Sequence, residues 1–516
     1  MARLDESLVK ITKGARIAFV GSLTGLLFAF IGRLLVARIG TEAEYGVFSL
    51  AFVILNICAV IATLGLQQGV PRSIAYARGK NDTEKVQKLI PASIQFGLLA
   101  SICLCIIAFF TSDIIAIKIF HDVTLAFPLK IFAFGIPFFT LINVFVSIFR
   151  GFDDIKPTVY FQNILRNLLF TLFLLPLIFF SLPFTDVFYA FLASLVISCL
   201  VLIVYAAKRL PSPVKLVTKP SINPVAKELL LFSLPLLGVA MLQLIIAWTD
   251  TLMLGGLKSS VEVGLYNAAQ PLAQFISAPL GAMLLIYMPV ASGLYAQGLM
   301  SEIRRNFSIL TKWLCSAILP LFLILFLFPE VVLNLLFGAN YTSAATALRI
   351  LSLGFIINNF LGPNGATLIA MGEVQFMMWA VLASAVLNIG LNLALIPPLG
   401  IAGAAIASIA AITSVNLIRC WKLYSLSKAQ PLSKNLLKPA VVSVALIFPF
   451  QFIFGNFVSV VWWMLPLLFI LYYGIYGLAI LLTKSFDKED ISMLLAIEKR
   501  ANVNLSFIKR VLRKFL

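Results

Sequence analysis

The chain has 516 residues, of which 61% are hydrophobic and only 12% are charged, and its mean hydropathy is +1.03. Soluble globular domains are nearer half apolar and a quarter charged, so this composition excludes a soluble enzyme, a disordered chain and a secreted disulfide scaffold. The formal net charge of +18 is large for so apolar a chain, and it has to be located along the sequence.

Fourteen apolar runs are long enough to cross a bilayer, which takes roughly 20 residues in a helix. The breaks between them carry helix-stopping residues, for example Gly79 before Lys80 and Asn81, and Pro397 before Pro398. In chain order the predicted spans are 15–39, 45–66, 89–112, 126–149, 158–181, 184–207, 228–256, 264–292, 307–328, 345–370, 375–397, 400–424, 436–455 and 460–482. The pattern predicts an all-α integral membrane protein with about 14 transmembrane helices.

Basic residues are distributed unevenly between the two sides of these spans. If the N-terminus is cytoplasmic, 32 of the 39 Lys and Arg residues fall on the inner side, 3 in outer loops and 4 inside spans. An excess of positive charge in cytoplasmic segments is the usual topology signal of membrane proteins. It predicts cytoplasmic N- and C-termini in a multi-pass protein of the cell (cytoplasmic or inner) membrane, and it gives no indication of a nucleic-acid partner.

The chain also resembles itself at an offset of about 218 residues, because GTEAEYGVF (40–48) is similar to KSSVEVGLY (258–266). Two parallel, pseudo-symmetric six-helix lobes around a central cavity are therefore predicted, as in several secondary transporters. The predicted parts are an N-terminal lobe (1–207), a cytoplasmic linker (208–227), a C-terminal lobe (228–424), transmembrane helices 13 and 14 (425–482) and a basic amphipathic cytoplasmic tail (483–516). The tail suits a helix lying on anionic lipid, although the topology signal alone explains its charge.

Five ionisable residues stand out inside predicted spans: Arg33, Lys130, Arg166, Asp250 and Arg349. Such residues are costly in hydrocarbon and usually face a cavity or a partner. Arg166 lies deepest, so we expect it in a cavity. Arg33 and Asp250 are nearly equivalent in the repeat and could face each other, as a structural ion pair or as a coupling site. Lys130 and Arg349 lie near outer ends of spans, where snorkelling to lipid headgroups is the alternative to a cavity role.

Four positive charges against one negative charge predict a cationic cavity that suits an anionic, phosphorylated substrate. The sequence has no phosphate-binding loop, no Cys or His set with metal-ligand spacing and no outer loop long enough for an active site. We therefore expect transport rather than catalysis, with no enzyme activity, no metal and no cofactor. Coupling to protons or sodium through Asp250 stays open.

Five segments in this order resemble the polysaccharide biosynthesis proteins, which are oligosaccharide-lipid flippases of the multidrug/oligosaccharidyl-lipid/polysaccharide exporter superfamily. The segments are GRLLVARIGTEAEYGVFSLAFVI (32–54), LGLQQGVPRSIAYARGK (64–80), FRGFDDIKP (149–157), DTLMLGGLKSSVEVGLYNAAQPL (250–272) and PPLGIAGAAIAS (397–408). The resemblance implies alternating access and a substrate in which a glycan is joined through (pyro)phosphate to a polyprenol. It implies that basic cavity residues meet the phosphates, for which the candidates are Arg33, Arg166, Lys130 and Arg349.

The leading hypothesis is a flippase for a lipid-linked oligosaccharide, whose partners are that glycan substrate, membrane lipids and, by resemblance, glycan assembly enzymes. A cation-coupled multidrug exporter of the same superfamily is the first alternative, and several acidic residues inside spans would favour it. A membrane glycan polymerase or ligase is the second alternative, and it would need a long outer loop with catalytic groups.

Overall fold

The computed structural model describes residues 21, 23–210, 224–430 and 464–483, together with 441–443, 445, 446, 449 and 452. Within these residues the regular elements are helices. In chain order they are α1 (23–39), α2 (Glu42–Ala62), α3 (Leu66–Gly79), α4 (Thr83–Ile114), α5 (Ala126–Ala133), α6 (Gly135–Gly151), α7 (Arg166–Phe179), α8 (Thr185–Arg209), α9 (Pro224–Leu257), α10 (Ser260–Gln274), α11 (Ala278–Ala296), α12 (Met300–Leu327), α13 (Pro329–Leu336), α14 (Ala345–Phe360), α15 (Asn364–Ala370), α16 (Val374–Ser427) and α17 (Met464–Leu482). Two short π-helical segments (Ile115–Ile119 and Thr158–Leu165) and three 3₁₀ segments (Val123–Leu125, Phe275–Ser277 and Ala339–Ala344) lie between them.

The helices fit a protein that crosses a membrane many times. Eight described helical segments are long and apolar enough to span a bilayer, or nine if the pair Val123–Ala133 and Gly135–Gly151, bent by 45°, counts as one span. The predicted fold class, an all-α integral membrane protein, is confirmed. The count of fourteen helices and the side of the termini stay predictions. Predicted span 436–455 lies mostly outside the described residues, and the tail 483–516 lies outside them except for Thr483.

Two helix breaks differ from simple straight spans. The spans predicted at 375–397 and 400–424 join into α16, which is interrupted at Gly400, where φ is +55°. The span predicted at 345–370 is broken between α14 and α15, where Gly362 has a φ of +71° and Pro363 follows. Glycine adopts a positive φ without steric cost, and proline lacks the N–H that would continue the helix.

Helix starts recur at the offset seen in the sequence. Helix α2 begins at Glu42 and α10 at Ser260, 218 residues later. At the first of these starts, the backbone N–H of Glu44 donates to Thr41 Oγ1 and Thr41 N–H donates to Glu44 Oε2 at 2.8 Å, a capping box that satisfies otherwise unpaired helix donors. At the second start, Glu262 N–H donates to Ser259 Oγ at 3.4 Å.

The described helices form two compact units, which meet in sequence between Asn267 and Ala268. The first unit holds α1 to α9 and the start of α10, and the second holds the rest of α10 and the later helices. Helix α9 belongs to the first unit because it packs on α2, α3 and α4. The lobe boundaries read from the sequence (1–207 and 228–424) stay a prediction, since compactness alone does not define a repeat.

In the first unit, the start of α9 approaches α3 very closely. A Cβ atom built on Gly65 would lie 2.0 Å from the backbone oxygen of Ser233, and one built on Gly69 would lie 2.0 Å from Ser233 Oγ. The Arg72 guanidinium lies 4.2 Å from the centre of the Phe232 ring. Glycines at these two positions therefore allow the two helices to meet at backbone distance.

Candidate functional site

A ladder of paired side chains joins α6 to the chain segment that leads into α7. Gln162 Nε2 donates a hydrogen bond to Asn143 Oδ1 at 3.0 Å. The next pair brings the Arg166 guanidinium 5.2 Å from the centre of the Phe139 ring. Phe139 and Asn143 are four residues apart, about one helical turn, and so are Gln162 and Arg166. The two pairs therefore form adjacent rungs of the ladder. Gln162 belongs to the π-helical segment Thr158–Leu165, a rare geometry that is frequent at functional sites.

No carboxylate among the residues that the structure describes neutralises the charge of Arg166. Its Nη2 atom donates a long 3.4 Å hydrogen bond to Asn167 Oδ1, and its Nε atom is buried with no hydrogen-bond partner in the described part of the chain. The Phe139 ring offers the negative face of its π-system, which is a weak substitute for an anion. A buried guanidinium with unused donors is a group prepared for an oxyanion.

Arg33 lies on α1, which packs against α7 beside this group: Asn167 Nδ2 donates to the backbone oxygen of Gly25 at 3.2 Å, and a Cβ atom built on Gly32 would lie 3.2 Å from Phe170 Cδ1. Arg33 is half-buried, and its charge acts on Arg166 and on the phenol of Tyr45. No salt bridge to Arg33 or to Arg166 occurs among the residues that the structure describes. Two like charges repel most strongly where the dielectric constant is low, so a bound anion would relieve this repulsion. The structure thus brings together Arg33 and Arg166, the two cations predicted deepest in the cavity.

Asp250 belongs to a second polar group, built from α9 and α10. Asp250 is only 6% exposed, and its Oδ2 atom accepts a 2.6 Å hydrogen bond from the Tyr266 hydroxyl. Asn267 Nδ2 donates to Thr251 Oγ1 at 3.2 Å, and Tyr45 on α2 donates to the backbone oxygen of Asn267 at 3.3 Å. Tyr45 is therefore hydrogen-bonded to this group, and the charge of Arg33 also acts on its phenol. The pairing of Arg33 with Asp250 stays a prediction.

Lys130 and Arg349 are engaged by carboxylates instead. Lys130 Nζ lies 2.8 Å from Asp113 Oδ2 in the first unit. In the second unit, Arg349 Nη2 lies 2.9 Å from Glu330 Oε1, and its Nε atom donates to the backbone oxygen of Phe326 at 3.2 Å. The two cations are 219 residues apart in sequence, so the repeat places an ion pair at the same point of each half. Their proposed contact with phosphate would require these pairs to open.

Two further cations, both in the second unit, are withdrawn from solvent. Lys312 and Arg419 are among the cations that the sequence places on the inner side, and Lys312 is only 5% exposed within α12. Arg419 Nε is buried with no hydrogen-bond partner in the described ranges, and its Nη1 atom lies 3.4 Å from Asn416 Oδ1. Both residues stand more than one turn inside predicted spans, and that depth is the signal that could have found them. No group of three or more His, Cys, Asp or Glu side chains arranged to hold a metal occurs among the described residues.

The many apolar helices define an integral membrane protein, and comparison with known proteins identifies its family. The model of the polysaccharide biosynthesis protein family matches residues 11–295, and the MatE model matches residues 235–394. The chain belongs to the polysaccharide biosynthesis protein family, whose model matches more than half of its residues. An uncharacterised membrane protein of Methanocaldococcus jannaschii is 24% identical over 507 residues, covering 91% of this chain and 95% of that protein.

Three solved structures share the fold at low sequence identity. The lipid II flippase MurJ in an inward closed conformation is 16% identical, with a TM-score of 0.66 over 89% of this chain and 97% of that one. An inward-facing multidrug resistance MATE family transporter is 18% identical, with a TM-score of 0.64 over 78% and 95%. A MOP superfamily transporter from Pyrococcus furiosus, whose binding pocket is described as having reverse polarity, is 18% identical, with a TM-score of 0.54 over 83% and 96%. At these identities the similarity establishes the MOP transporter fold.

Proposed function

We propose that this protein is a flippase that moves a polyprenyl-(pyro)phosphate-linked oligosaccharide from the cytoplasmic to the outer face of the cell membrane by alternating access. The glycan would serve assembly of a cell-surface polysaccharide or a related glycan. The observation that carries this proposal is the proximity of Arg33 and Arg166, neither of which has a carboxylate partner among the described residues.

The chemistry of the substrate explains why two arginines are needed. A (pyro)phosphate diester keeps its negative charge at neutral pH, and its transfer through hydrocarbon without compensation is prohibitive. The planar guanidinium group of arginine stays charged in the membrane and binds phosphate oxygens in pairs. Arg33 and Arg166 together supply positive charge without a competing internal anion. Lys130 and Arg349 remain further proposed phosphate contacts once their ion pairs open.

The comparisons with known proteins support a flippase for a lipid-linked substrate. The chain belongs to the polysaccharide biosynthesis protein family, and a lipid II flippase shares its fold. The Pyrococcus furiosus transporter that shares this fold is described as having a binding pocket of reverse polarity, so the fold accommodates pockets of different charge. Glycan assembly enzymes are the proposed protein partners, because they supply and consume lipid-linked glycans.

Energy coupling is proposed to involve Asp250. Asp250 is buried and accepts a hydrogen bond from Tyr266. The next residue, Asn267, accepts a hydrogen bond from Tyr45, on which the charge of Arg33 acts. Asp250 would take up a proton or a sodium ion as the helices rearrange. The same buried acid is what favours the second candidate function, a cation-coupled multidrug exporter, and the MatE model match at residues 235–394 includes it.

The proposal is tested with purified protein in liposomes that carry a fluorescent polyprenyl-pyrophosphate-linked oligosaccharide. Arg33→Gln and Arg166→Gln should each lower the translocation rate roughly 10- to 100-fold, the usual effect of removing one charged hydrogen-bond partner. Arg150→Gln is the matched control, because Arg150 is exposed at the end of α6. Full activity of both variants would refute the role of the two arginines. Transport of a cationic dye in place of the glycolipid would support the exporter, and a lengthened glycan would support a polymerase.

A further inference from the structure

The rung next to Arg166 has an unused donor that the phosphate site does not explain. Asn143 is only 3% exposed, and its Oδ1 atom is occupied by the hydrogen bond from Gln162. Its Nδ2 atom is buried with no acceptor among the described residues. Buried amide donors are almost always satisfied by protein or by ordered water, so each exception needs a specific reason.

Two orphan donors therefore occupy neighbouring rungs, Nδ2 of Asn143 and Nε of Arg166. The rungs are one helical turn apart along α6, which is about 5.4 Å. The same stripe of α6 continues to Ser147, whose hydroxyl lies 3.3 Å from the backbone oxygen of Gln67 on α3. The stripe is thus charged at one rung and neutral but polar at the next.

Neutral amides and a guanidinium recognise different chemistry. An arginine selects phosphate through its charge. The side-chain amides of Asn and Gln each combine an NH2 donor with a carbonyl acceptor, so they suit uncharged hydroxyl or acetamido groups. A spacing of one helical turn is comparable to the width of a hexose ring. A lipid-linked glycan presents these two chemistries in this order, phosphate first and sugar second.

We propose that Asn143 and Gln162 form a subsite for the first sugar of the lipid-linked glycan, beside the phosphate contact of Arg166. This inference rests on the proposed function and adds to it a residue pair that determines specificity. When the sugar enters, its oxygens accept from Asn143 Nδ2, and Gln162 keeps the amide of Asn143 in position. Water filling the same place would satisfy the donor without selecting a sugar, and the experiment distinguishes these cases.

The test compares two ligands on the purified full-length protein: a polyprenyl pyrophosphate, and the same lipid carrying one N-acetylhexosamine. The dissociation constant of each is measured by native mass spectrometry. Asn143→Leu and Gln162→Leu should weaken binding of the sugar-bearing lipid about tenfold and leave the bare lipid unchanged. Arg166→Gln should weaken both lipids alike. Gln162 is half-buried, so its variant keeps the test decisive if Asn143→Leu fails to fold.

Thr171→Val is the matched control, because Thr171 is buried on α7 and its hydroxyl is satisfied by the backbone oxygen of Asn167 at 2.9 Å. It should change neither dissociation constant. Equal loss of both lipids in Asn143→Leu and Gln162→Leu, or no loss of either, would overturn the sugar subsite while leaving the flippase intact. If wild-type protein binds neither lipid, the proposed function itself fails and the subsite fails with it.

Discussion

Gly46 and Gly264 lie against each other where α2 crosses α10. A Cβ atom built on Gly46 would lie 1.7 Å from the backbone oxygen of Ser260, and one built on Gly264 would lie 2.0 Å from the backbone oxygen of Glu42. The relationship is reciprocal, because each glycine meets the carbonyl four residues before the other. Two glycines that align in the sequence repeat are therefore also in direct contact, and neither position has room for a side chain.

Gly46→Ala and Gly264→Ala should each destabilise the protein by about 1–3 kcal/mol, because the added methyl group forces two backbones apart. Thermal unfolding of the purified variants in detergent measures the loss. Gly238→Ala is the matched control, since nothing lies within 4 Å of its Cβ position on α9. A Gly264→Ala variant as stable as the control would show that the crossing is looser than these distances indicate.

Glu44 and Glu262 occupy equivalent repeat positions but should respond oppositely to neutralisation. Burial raises the pKa of Glu262, and its Oε2 atom has no hydrogen-bond partner among the described residues, although Lys258 acts in the other direction. The folded state thus binds this proton more tightly than the unfolded state, so the free energy of unfolding falls as pH rises above the ordinary carboxyl range. Glu262→Gln should remove that loss and raise stability at neutral pH relative to acidic pH.

Glu44→Gln is the paired comparison. The Glu44 carboxylate accepts from the backbone N–H and from the hydroxyl of Thr41, at 2.8 and 3.1 Å. Replacing it should lower stability at neutral pH by about 0.5–2 kcal/mol, the usual range for a helix cap. Unfolding curves at several pH values check both variants, and a stabilised Glu44→Gln or a destabilised Glu262→Gln at neutral pH would contradict the assignment.

Asp250→Asn should make the rate of transport independent of a proton or sodium gradient. The Tyr266 hydroxyl can still donate to the amide oxygen, so the variant should fold, but the group can no longer take up a proton. Translocation measured with and without a proton or sodium gradient should become the same in both conditions. Tyr266→Phe, which keeps the acid, should retain the dependence on the gradient. A gradient dependence that survives in Asp250→Asn would exclude this residue from coupling.

The effect of replacing Lys130 should depend on whether its partner Asp113 is present. If the pair is structural, Lys130→Gln leaves a lone carboxylate, and the double variant with Asp113→Asn should recover most of the lost stability and transport. If Lys130 instead contacts phosphate, the second substitution should give no recovery of transport. The equivalent cycle on Arg349 and Glu330 provides an internal repeat of the experiment.

The ion pair between Lys85 and Glu228 should control the docking of α9 on its neighbours. Lys85 Nζ lies 2.7 Å from Glu228 Oε2, beside the close contact of Ser233 with Gly65 and Gly69. Either charge reversal should slow translocation, and the double reversal should restore it. Since Glu228 is 65% exposed, the effect on stability should stay below about 1 kcal/mol and diminish with salt.

The helices could be read from the sequence because a span depends on local apolar composition. Each predicted span from 45–66 to 400–424 contains described helix, and the caps at Thr41 and Ser259 follow from local residue patterns. Arg33 and Arg166 could be singled out for the same reason, since depth within an apolar run is a local property, and their role stays a prediction.

Side-chain pairing could not be read in this way. Tyr266 meets Asp250 across the connection between two helices, and Gln162 meets Asn143 only because the π-helical segment Thr158–Leu165 packs against α6. The burial of Lys312 and Arg419 could not be read either, because the ends of apolar runs do not fix where helices become buried. These facts depend on tertiary contacts, for which one sequence gives no distance.

The π-helical turn before Arg166 makes the ladder sensitive to residue number as well as residue type. A π-helix has more residues per turn than an α-helix, so deleting one residue between Gln162 and Arg166 would change the angle between these two side chains about the helix axis. Gln162 would then leave Asn143 while the composition of the segment hardly changed. A change of chain length by a single codon, with every ladder residue retained, should therefore separate the two rungs of the ladder.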